Sequence, residues 1–324
     1  MTAALTLRPQ TPADYARICE LRNYTLTEPL TPAICEVRVA TWNPQGVWET
    51  WLACEGEQVH AYAHLLSLPH LPEDGYYAAI SVDPDSRRRG IGSTLLQEIE
   101  SEVIRRGGGD VVMPGRDDRP ETIAYMESRG FKLQQHLIEG VLNTADIDEA
   151  GIHAHRQELE AKGYQFATFA ELGDTPENRH RLYLLHNVGN RDTPGAELWG
   201  DMAYDLYETE CFLTERYDPH GIMIAVHNGE WVGLSMVAKV KDNEFTTVFT
   251  ATLREHRGKG LGLATKGLMV LYAKSQRAAL VRAQNDVTNK PMLAINGKLG
   301  FKAQFGWKHM SKRVTEETRC KPNN

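Results

Sequence analysis

One short pattern occurs twice in this chain, 170 residues apart. Arg87-Arg88-Arg89-Gly90-Ile91-Gly92 is answered by Arg257-Gly258-Lys259-Gly260-Leu261-Gly262, and Gly130-Phe131-Lys132 by Gly300-Phe301-Lys302. Both matches share one offset, with no insertion between the anchors. Self-similarity at a fixed spacing marks a repeated structural unit. A chain of 324 residues is long enough for two domains, each with its own core. The constraint is therefore strong: whatever the first half folds into, the second half folds into as well.

The local patterns agree. Tyr77-Ala78-Ala79-Ile80-Ser81-Val82 reads as a buried strand, followed by the glycine loop and an amphipathic helix over 93–106. A short strand over 110–113 and a helix over 121–129, closed by Gly130, come next. The second half repeats this with a strand over 246–253, a helix over 263–275, a strand over 279–282 and a helix over 292–299. Upstream, strands at 51–54 and 59–66 correspond to 222–226 and 231–237, with Gly56-Glu57 and Asn228-Gly229 as hairpin turns. Leu7-Arg8-Pro9 matches Ala167-Thr168-Phe169 at an offset of 160, so the second copy carries extra residues around its first helices. The division expected is a first domain over 1–144, a linker over 145–163 and a second domain over 164–324.

Composition removes several classes of function. With 36 Lys+Arg against 43 Asp+Glu, the net charge of −7 speaks against a chain whose main task is gripping nucleic-acid phosphates. Five scattered cysteines without CxxC spacing suggest neither a disulfide framework nor a zinc site, and no metal is expected. No basic, apolar leader opens the sequence, and no uncharged apolar run reaches the roughly 18 residues of a membrane span. A cytoplasmic protein, monomer or homodimer, is the expectation.

A glycine loop that leaves a strand and opens a helix turns several backbone N–H groups toward the positive end of the helix dipole. That arrangement suits a pyrophosphate. Arg87, Arg88, Arg89, Arg257 and Lys259 add positive charge. The pattern is not a Walker A loop, because no Lys-Ser/Thr follows the last glycine, and it lacks the third glycine of the dinucleotide fingerprint.

Strand, Arg-x-x-Gly-x-Gly, helix, strand, helix and Gly-Phe, in that order and in both halves, resemble the core of the GNAT acetyltransferase superfamily. Residues 285–301, with Asn289, Met292, Asn296 and Leu299-Gly300-Phe301, are similar to tandem-GNAT proteins of mycothiol-synthase-like architecture. The resemblance implies an α/β (α+β) chain of two tandem GNAT domains, each a mixed, mostly antiparallel sheet flanked by helices. It implies acetyl-CoA as co-substrate. Backbone amides of Arg88, Arg89, Gly90, Ile91 and Gly92, and of Gly258, Lys259, Gly260, Leu261 and Gly262, would hold its pyrophosphate, with Arg87 and Arg257 beside them. Backbone near Ile80 and Val82, and near Thr250 and Thr252, would pair with the pantetheine arm. Asn289 matches the family position that contacts this arm. Its counterpart in the first half is Arg119, which makes the second half the better candidate for an intact site.

The catalytic groups depart from the family pattern. The tyrosine that many relatives carry four residues before the Gly of Gly-Phe is replaced by Met126 and Asn296. Glu244 stands near the strand position where relatives place a base, and is the candidate here; His256 beside the loop is read as a polar turn residue. The stretch over 192–218 is rich in carboxylates, with Asp201, Asp205 and Glu208 at helical spacing, and could form an anionic mouth or an ordinary solvated face. Trp199, Tyr204, Tyr207 and Phe212 read as core. The function expected is transfer of an acetyl or short acyl group from acetyl-CoA to the amine of a small molecule, by direct attack. A non-catalytic acyl-CoA-binding module and a peptide N-terminal acetyltransferase are the alternatives.

Overall fold

The computed structural model describes residues 4–26, 29–40, 42, 46–68, 71–196, 201–213 and 217–319. It contains two compact units: Met1–His136 with Trp307–Asn324, and Leu137–Gly306.

The first unit holds β1 (Leu5–Arg8), α1 (Tyr15–Asn23), α2 (Pro32–Ala40), β2 (Trp48–Glu55), β3 (Gln58–Leu66), β4 (Gly75–Val82), α3 (Ile91–Arg105), β5 (Gly109–Arg116) and α4 (Pro120–Ser128), and it takes its last strand from β12 (Lys302–Val314). The sheet order is β1-β2-β3-β4-β5-β12. Only β4 and β5 run parallel; the other pairs are antiparallel. Leu95, Leu96, Ile99 and Val103 of α3 bury their apolar stripe against one sheet face with Phe131, Met310 and Val314. On α1, Ile18 and Leu21 pack with Leu52 and Tyr62 in a separate cluster.

The second unit begins in β6 (Lys132–Asn143) and continues through α5 (Glu149–Glu160), β7 (Tyr164–Thr168), the single turn α6 (Phe169–Leu172), α7 (Pro176–Asn190), α8 (Tyr204–Phe212), β8 (Ile222–His227), β9 (Glu230–Lys241), β10 (Glu244–Thr252), α9 (Leu261–Ser275), β11 (Leu280–Asp286) and α10 (Lys290–Leu299). Its order is β6-β11-β10-β9-β8-β7, again with one parallel pair, β10 and β11. Both units are thus mixed, mostly antiparallel sheets with helices on them, as expected. Asn228 and Gly229 both have positive φ, 51° and 80°, which a two-residue hairpin turn of the twisted kind requires.

The units are not cut where the sequence pattern suggested. Residues 145–163 contain α5, whose Ile152 and Leu159 lie in the second unit's core, so this stretch belongs to the fold of that unit. The closing strands are exchanged. From Leu137 onward β6 pairs with β11, and from Trp307 onward β12 pairs with β5. The physical reason is ladder completion: each sheet's last strand comes from the other half of the chain. Hydrophobic periodicity shows that a segment is a strand, but not which edge it joins. No helix among the described residues is long and apolar enough to cross a membrane.

Candidate functional site

Each unit contains a cleft made by strands that part. The β4–β5 ladder covers only Gly75–Tyr77 against Asp110–Val112, and the β10–β11 ladder only Glu244–Thr246 against Leu280–Arg282. Beyond these residues the two strands splay. One backbone edge of β4 and one of β10 are left without a neighbour on that side. Such an edge can accept an extended ligand by main-chain hydrogen bonding. Ile80 and Val82 lie on the free stretch of β4, and Thr250 and Thr252 on that of β10. The side chain of Thr250 is engaged with Ser235 at 2.8 Å, so only its backbone is available to a ligand.

The glycine loops sit at the open ends of these clefts. Gly90 (φ 83°) is the N-cap of α3, and Gly260 (φ 93°) that of α9; both are left-handed. Arg88 is also left-handed (φ 63°), at the position where the second copy has Gly258 (φ 73°). Alternating left-handed residues turn successive N–H groups into a concave anion nest, ahead of a 15-residue helix whose first amides have no intrahelical partner. A Cβ on Gly90 or Gly258 would meet nothing within 4 Å, so both face open space. The loops are anchored alike. Arg87 Nε donates to the Val82 carbonyl at 3.3 Å, and Arg257 Nε to the Thr252 carbonyl at 2.9 Å. This fold-back explains why an arginine opens the motif in both copies. The residues fit the phosphate and arm of acetyl-CoA on these two observations, the free strand edge and the open nest.

The two loops differ in what surrounds them. In the first, Arg89 pairs with Glu55. In the second, Asp192 holds Arg254 and, at 2.5 Å, Arg257. Hydrogen bonds from these two arginines push the Asp192 carboxyl far below its usual range. Lys259 Nζ donates to the Glu255 carbonyl at 3.0 Å. His155 of α5 places Nε2 3.1 Å from the Gly260 carbonyl, and a Cβ at Gly260 would lie 2.6 Å from its ring. Leu261 and Ile91 are the buried first residues of their helices, and Gly262 and Gly92 pack against Ile295 and Val82.

Asn289 is the N-cap of α10: its side-chain oxygen accepts from the Met292 amide at 3.2 Å. Arg119, its counterpart, caps α4 without a side-chain bond. Glu244 is 3% exposed, and both of its oxygens are taken. Arg282 Nε donates to Oε1 at 2.7 Å, Lys241 Nζ lies 2.7 Å from Oε2, and Arg282 also reaches Glu139 at 2.5 Å. Burial alone would raise the Glu244 pKa, but the bonds from Lys241 and Arg282 outweigh it and the shift is downward. A carboxylate so held is a weak proton acceptor; Glu244 closes an ion-pair network across β10, β11 and β6. The anionic mouth is likewise largely paired: Asp192 as above, Asp201 with Arg191, and Glu208 with Arg179 at 3.9 Å. Asp201 precedes α8 and does not share its face. Tyr207 and Phe212 are core, while Trp199 lies outside the described residues.

Lys266 went unnoticed in the sequence. It lies in the middle of α9, 1% exposed, in a helix otherwise nearly all apolar or small. Its Nζ donates to Asn296 Oδ1 at 2.6 Å and lies 5.2 Å from the centre of the Phe301 ring. Asn296 in turn donates to Asn285 Oδ1 of β11 at 2.7 Å. Desolvation lowers the ammonium to about 7, and among the described residues no carboxylate opposes the shift. The signal was there to be read: one lysine at an inward position of an apolar helical stripe. The backbone differs too. β10 carries a bulge at Val248 that β4 lacks, since Thr247 and Phe249 oppose Val237 and Met236 in succession.

Residues 18–131 match the acetyltransferase (GNAT) family. Mycothiol acetyltransferase of Catenulispora acidiphila is 24% identical over 262 residues, 77% of this chain and 76% of that protein. Two solved structures share the fold over nearly the full length. A GCN5-related N-acetyltransferase from Sphaerobacter thermophilus has a TM-score of 0.72 at 16% identity, covering 96% of each chain. A tandem GNAT protein from the clavulanic acid biosynthesis pathway has a TM-score of 0.70 at 19% identity, covering 99% of this chain and 100% of that one. With a parted strand pair and a helix-opening glycine nest in each of its two units, the chain has the fold of tandem GNAT proteins, and its residues 18–131 match the acetyltransferase (GNAT) family in sequence.

Proposed function

We propose that the chain transfers an acetyl group from acetyl-CoA to the amine of a small molecule, and that the second unit carries the chemistry. The observation that supports this most is the combination in that unit of three features: a free β10 edge, the nest at Gly258–Gly260, and a bulge at Val248. When bound, acetyl-CoA supplies a thioester whose thiol is a good leaving group. The nest and the α9 terminus hold phosphate; the β10 edge orients the arm. Bulges re-aim backbone groups, and one at this point of β10 can turn an N–H toward the charge that develops on a carbonyl oxygen.

Asn296 stands where many relatives have their tyrosine, and Lys266 stands behind it. In its protonated form Lys266 places a buried positive charge there, which favours negative charge on a departing sulfur. The neutral amine forms the C–N bond as the C–S bond breaks, and the proton lost by nitrogen is the one the sulfur finally takes. Glu244 has no part in this scheme.

Release of free thiol from acetyl-CoA across matched panels of small amines and amino-terminal peptides tests the reading. Amine-dependent release with small acceptors supports it, and release with peptides alone would move the acceptor to protein termini. Saturable acetyl-CoA binding without turnover on any acceptor would leave a non-catalytic module.

A further inference from the structure

The first unit holds a polar cluster that acyl transfer does not use. Arg22 of α1 reaches the sheet, where one of its terminal nitrogens lies 2.8 Å from His64 Nδ1 on β3. The guanidinium is 6.0 Å from the centre of the Tyr62 ring. Tyr62 meets His64 edge-on at 5.6 Å, and Tyr77 of β4 stacks on His64 at 6.2 Å. A guanidinium, an imidazole and two phenols thus share one patch of the sheet.

The polar account of this patch does not close. Arg22 Nε and His64 Nε2 are buried without a hydrogen-bond partner. Among the described residues no carboxylate pairs with Arg22. His64 is 5% exposed, and burial, then Arg22 and Arg38 of α2, hold it well below its usual pKa and therefore neutral. Burial raises Tyr62 to about 12, so its phenol keeps its proton. With Nδ1 accepting from Arg22, the His64 proton sits on Nε2. Every uncommitted group, Arg22 N–H, His64 Nε2–H and both phenols, can therefore donate. Leaving Arg22 Nε–H and His64 Nε2–H buried and unpaired is costly, and a planar guanidinium is matched by a carboxylate.

The repeat shows that the fold does not require this cluster. His64 and Tyr62 oppose Ala79 and Ser81. At the offset of 170 these correspond to Phe249 and Ala251, which oppose Met236 and Leu234. Where the first copy has an imidazole and a phenol, the second has two buried apolar side chains. Tyr77 is moreover the last residue of β4 paired with β5, so the cluster lies at the apex of the first unit's cleft.

We propose that Arg22, His64 and Tyr77 form a binding site for the carboxylate of a small carboxylic acid in the first unit, with no counterpart in the second. One half-buried guanidinium beside a neutral imidazole matches a monoanion better than a phosphate dianion. The site stands whether or not the first glycine loop holds acetyl-CoA, because its donors belong to α1, β3 and β4.

The test is a nuclear magnetic resonance titration of the full chain carrying 15N-labelled arginine, following the Nε–H signals. The Arg22 signal is assigned by its loss in Arg22→Gln. Propionate and β-alanine are expected to shift it saturably, while propylamine leaves it in place. Arg22→Gln is expected to weaken β-alanine binding by about tenfold or more, read by calorimetry. Should that variant not fold, Tyr77→Phe, which keeps the stacked ring, is expected to weaken binding by about threefold or more, in line with one lost hydrogen bond. An Arg22 signal unmoved by either acid, unchanged affinity in a folded Arg22→Gln or Tyr77→Phe, or tighter binding of inorganic phosphate than of either acid would overturn the assignment.

Discussion

Gly258 and Lys266 are the residues on which the account of the second unit turns. Gly258 has φ 73° and open space where a Cβ would go. Aspartate tolerates the left-handed region, so Gly258→Asp is expected to cost only about 1 kcal/mol of stability. Its carboxylate would face the phosphate path, and acetyl-CoA affinity at that site should fall by about tenfold or more, measured by calorimetry. Gly260→Asp is a poorer probe, because its side chain would collide with His155. Lys266 gives a pH test. Its folded pKa of about 7 lies below the ordinary 10.5, so between these values the unfolded chain binds the extra proton and stability rises with pH. Lys266→Met lacks this rise. The stability of Lys266→Met relative to wild type should therefore fall by about 1 kcal/mol per pH unit above neutrality, measured by urea unfolding at several pH values. The same variant should lower kcat with little change in KM for acetyl-CoA; a change confined to KM would remove Lys266 from the chemistry. Glu244 shows why residue type and strand position mislead on their own. The carboxylate is where a base was expected, yet Arg282 and Lys241, distant or unremarkable in sequence, fix it as an ion pair.

Among the elements, the repeated core of strands and helices was legible, because each carries its period and its stop signals, whereas α1, α2 and α7 had no bounds in the sequence pattern. β4, α3, β5 and α4 and their repeats β10, α9, β11 and α10 stand within a few residues of the expected bounds. The splay of β4 from β5 was not legible. Both strands look buried over their full length, and only the ladder shows where pairing stops. The exchanged strands were not legible either, since Leu142, Met310 and Val314 would be core in any pairing. A fragment over 164–324, the second domain as the sequence divides it, lacks β6 and α5 and with them Leu142, Ile152 and Leu159. Each buried side chain of this size contributes about 1.5–3 kcal/mol, comparable together with the whole stability of a domain. That fragment is expected to lack a cooperative thermal transition. Truncating the full chain after Gly306 should instead destabilise the first unit, which loses Met310, Val314 and the Lys312–Glu100 pair, and calorimetry should show its transition moving down in temperature.

For the whole molecule, duplication provided two scaffolds and divergence gave them different fittings. Both units keep the nest and the parted strands. Among the described residues, the Val248 bulge and the Lys266–Asn296–Asn285 chain belong to the second and the Arg22–His64 cluster to the first. The repeat was the most legible property of the sequence, and it led directly to the fold and the two loops. What it hid was the asymmetry, because matched positions such as Tyr62 and Leu234 become comparable only once strand register is known. Both clefts are proposed to bind acetyl-CoA, and the second to use it. The deciding measurement is calorimetric titration of acetyl-CoA into the intact chain, into Arg88→Asp and into Gly258→Asp. Saturable binding is expected in the wild type, with loss of one class of site in Gly258→Asp and loss of amine-dependent thiol release in that variant but not in Arg88→Asp. Absence of binding in the wild type, or full turnover in Gly258→Asp, would contradict that proposal.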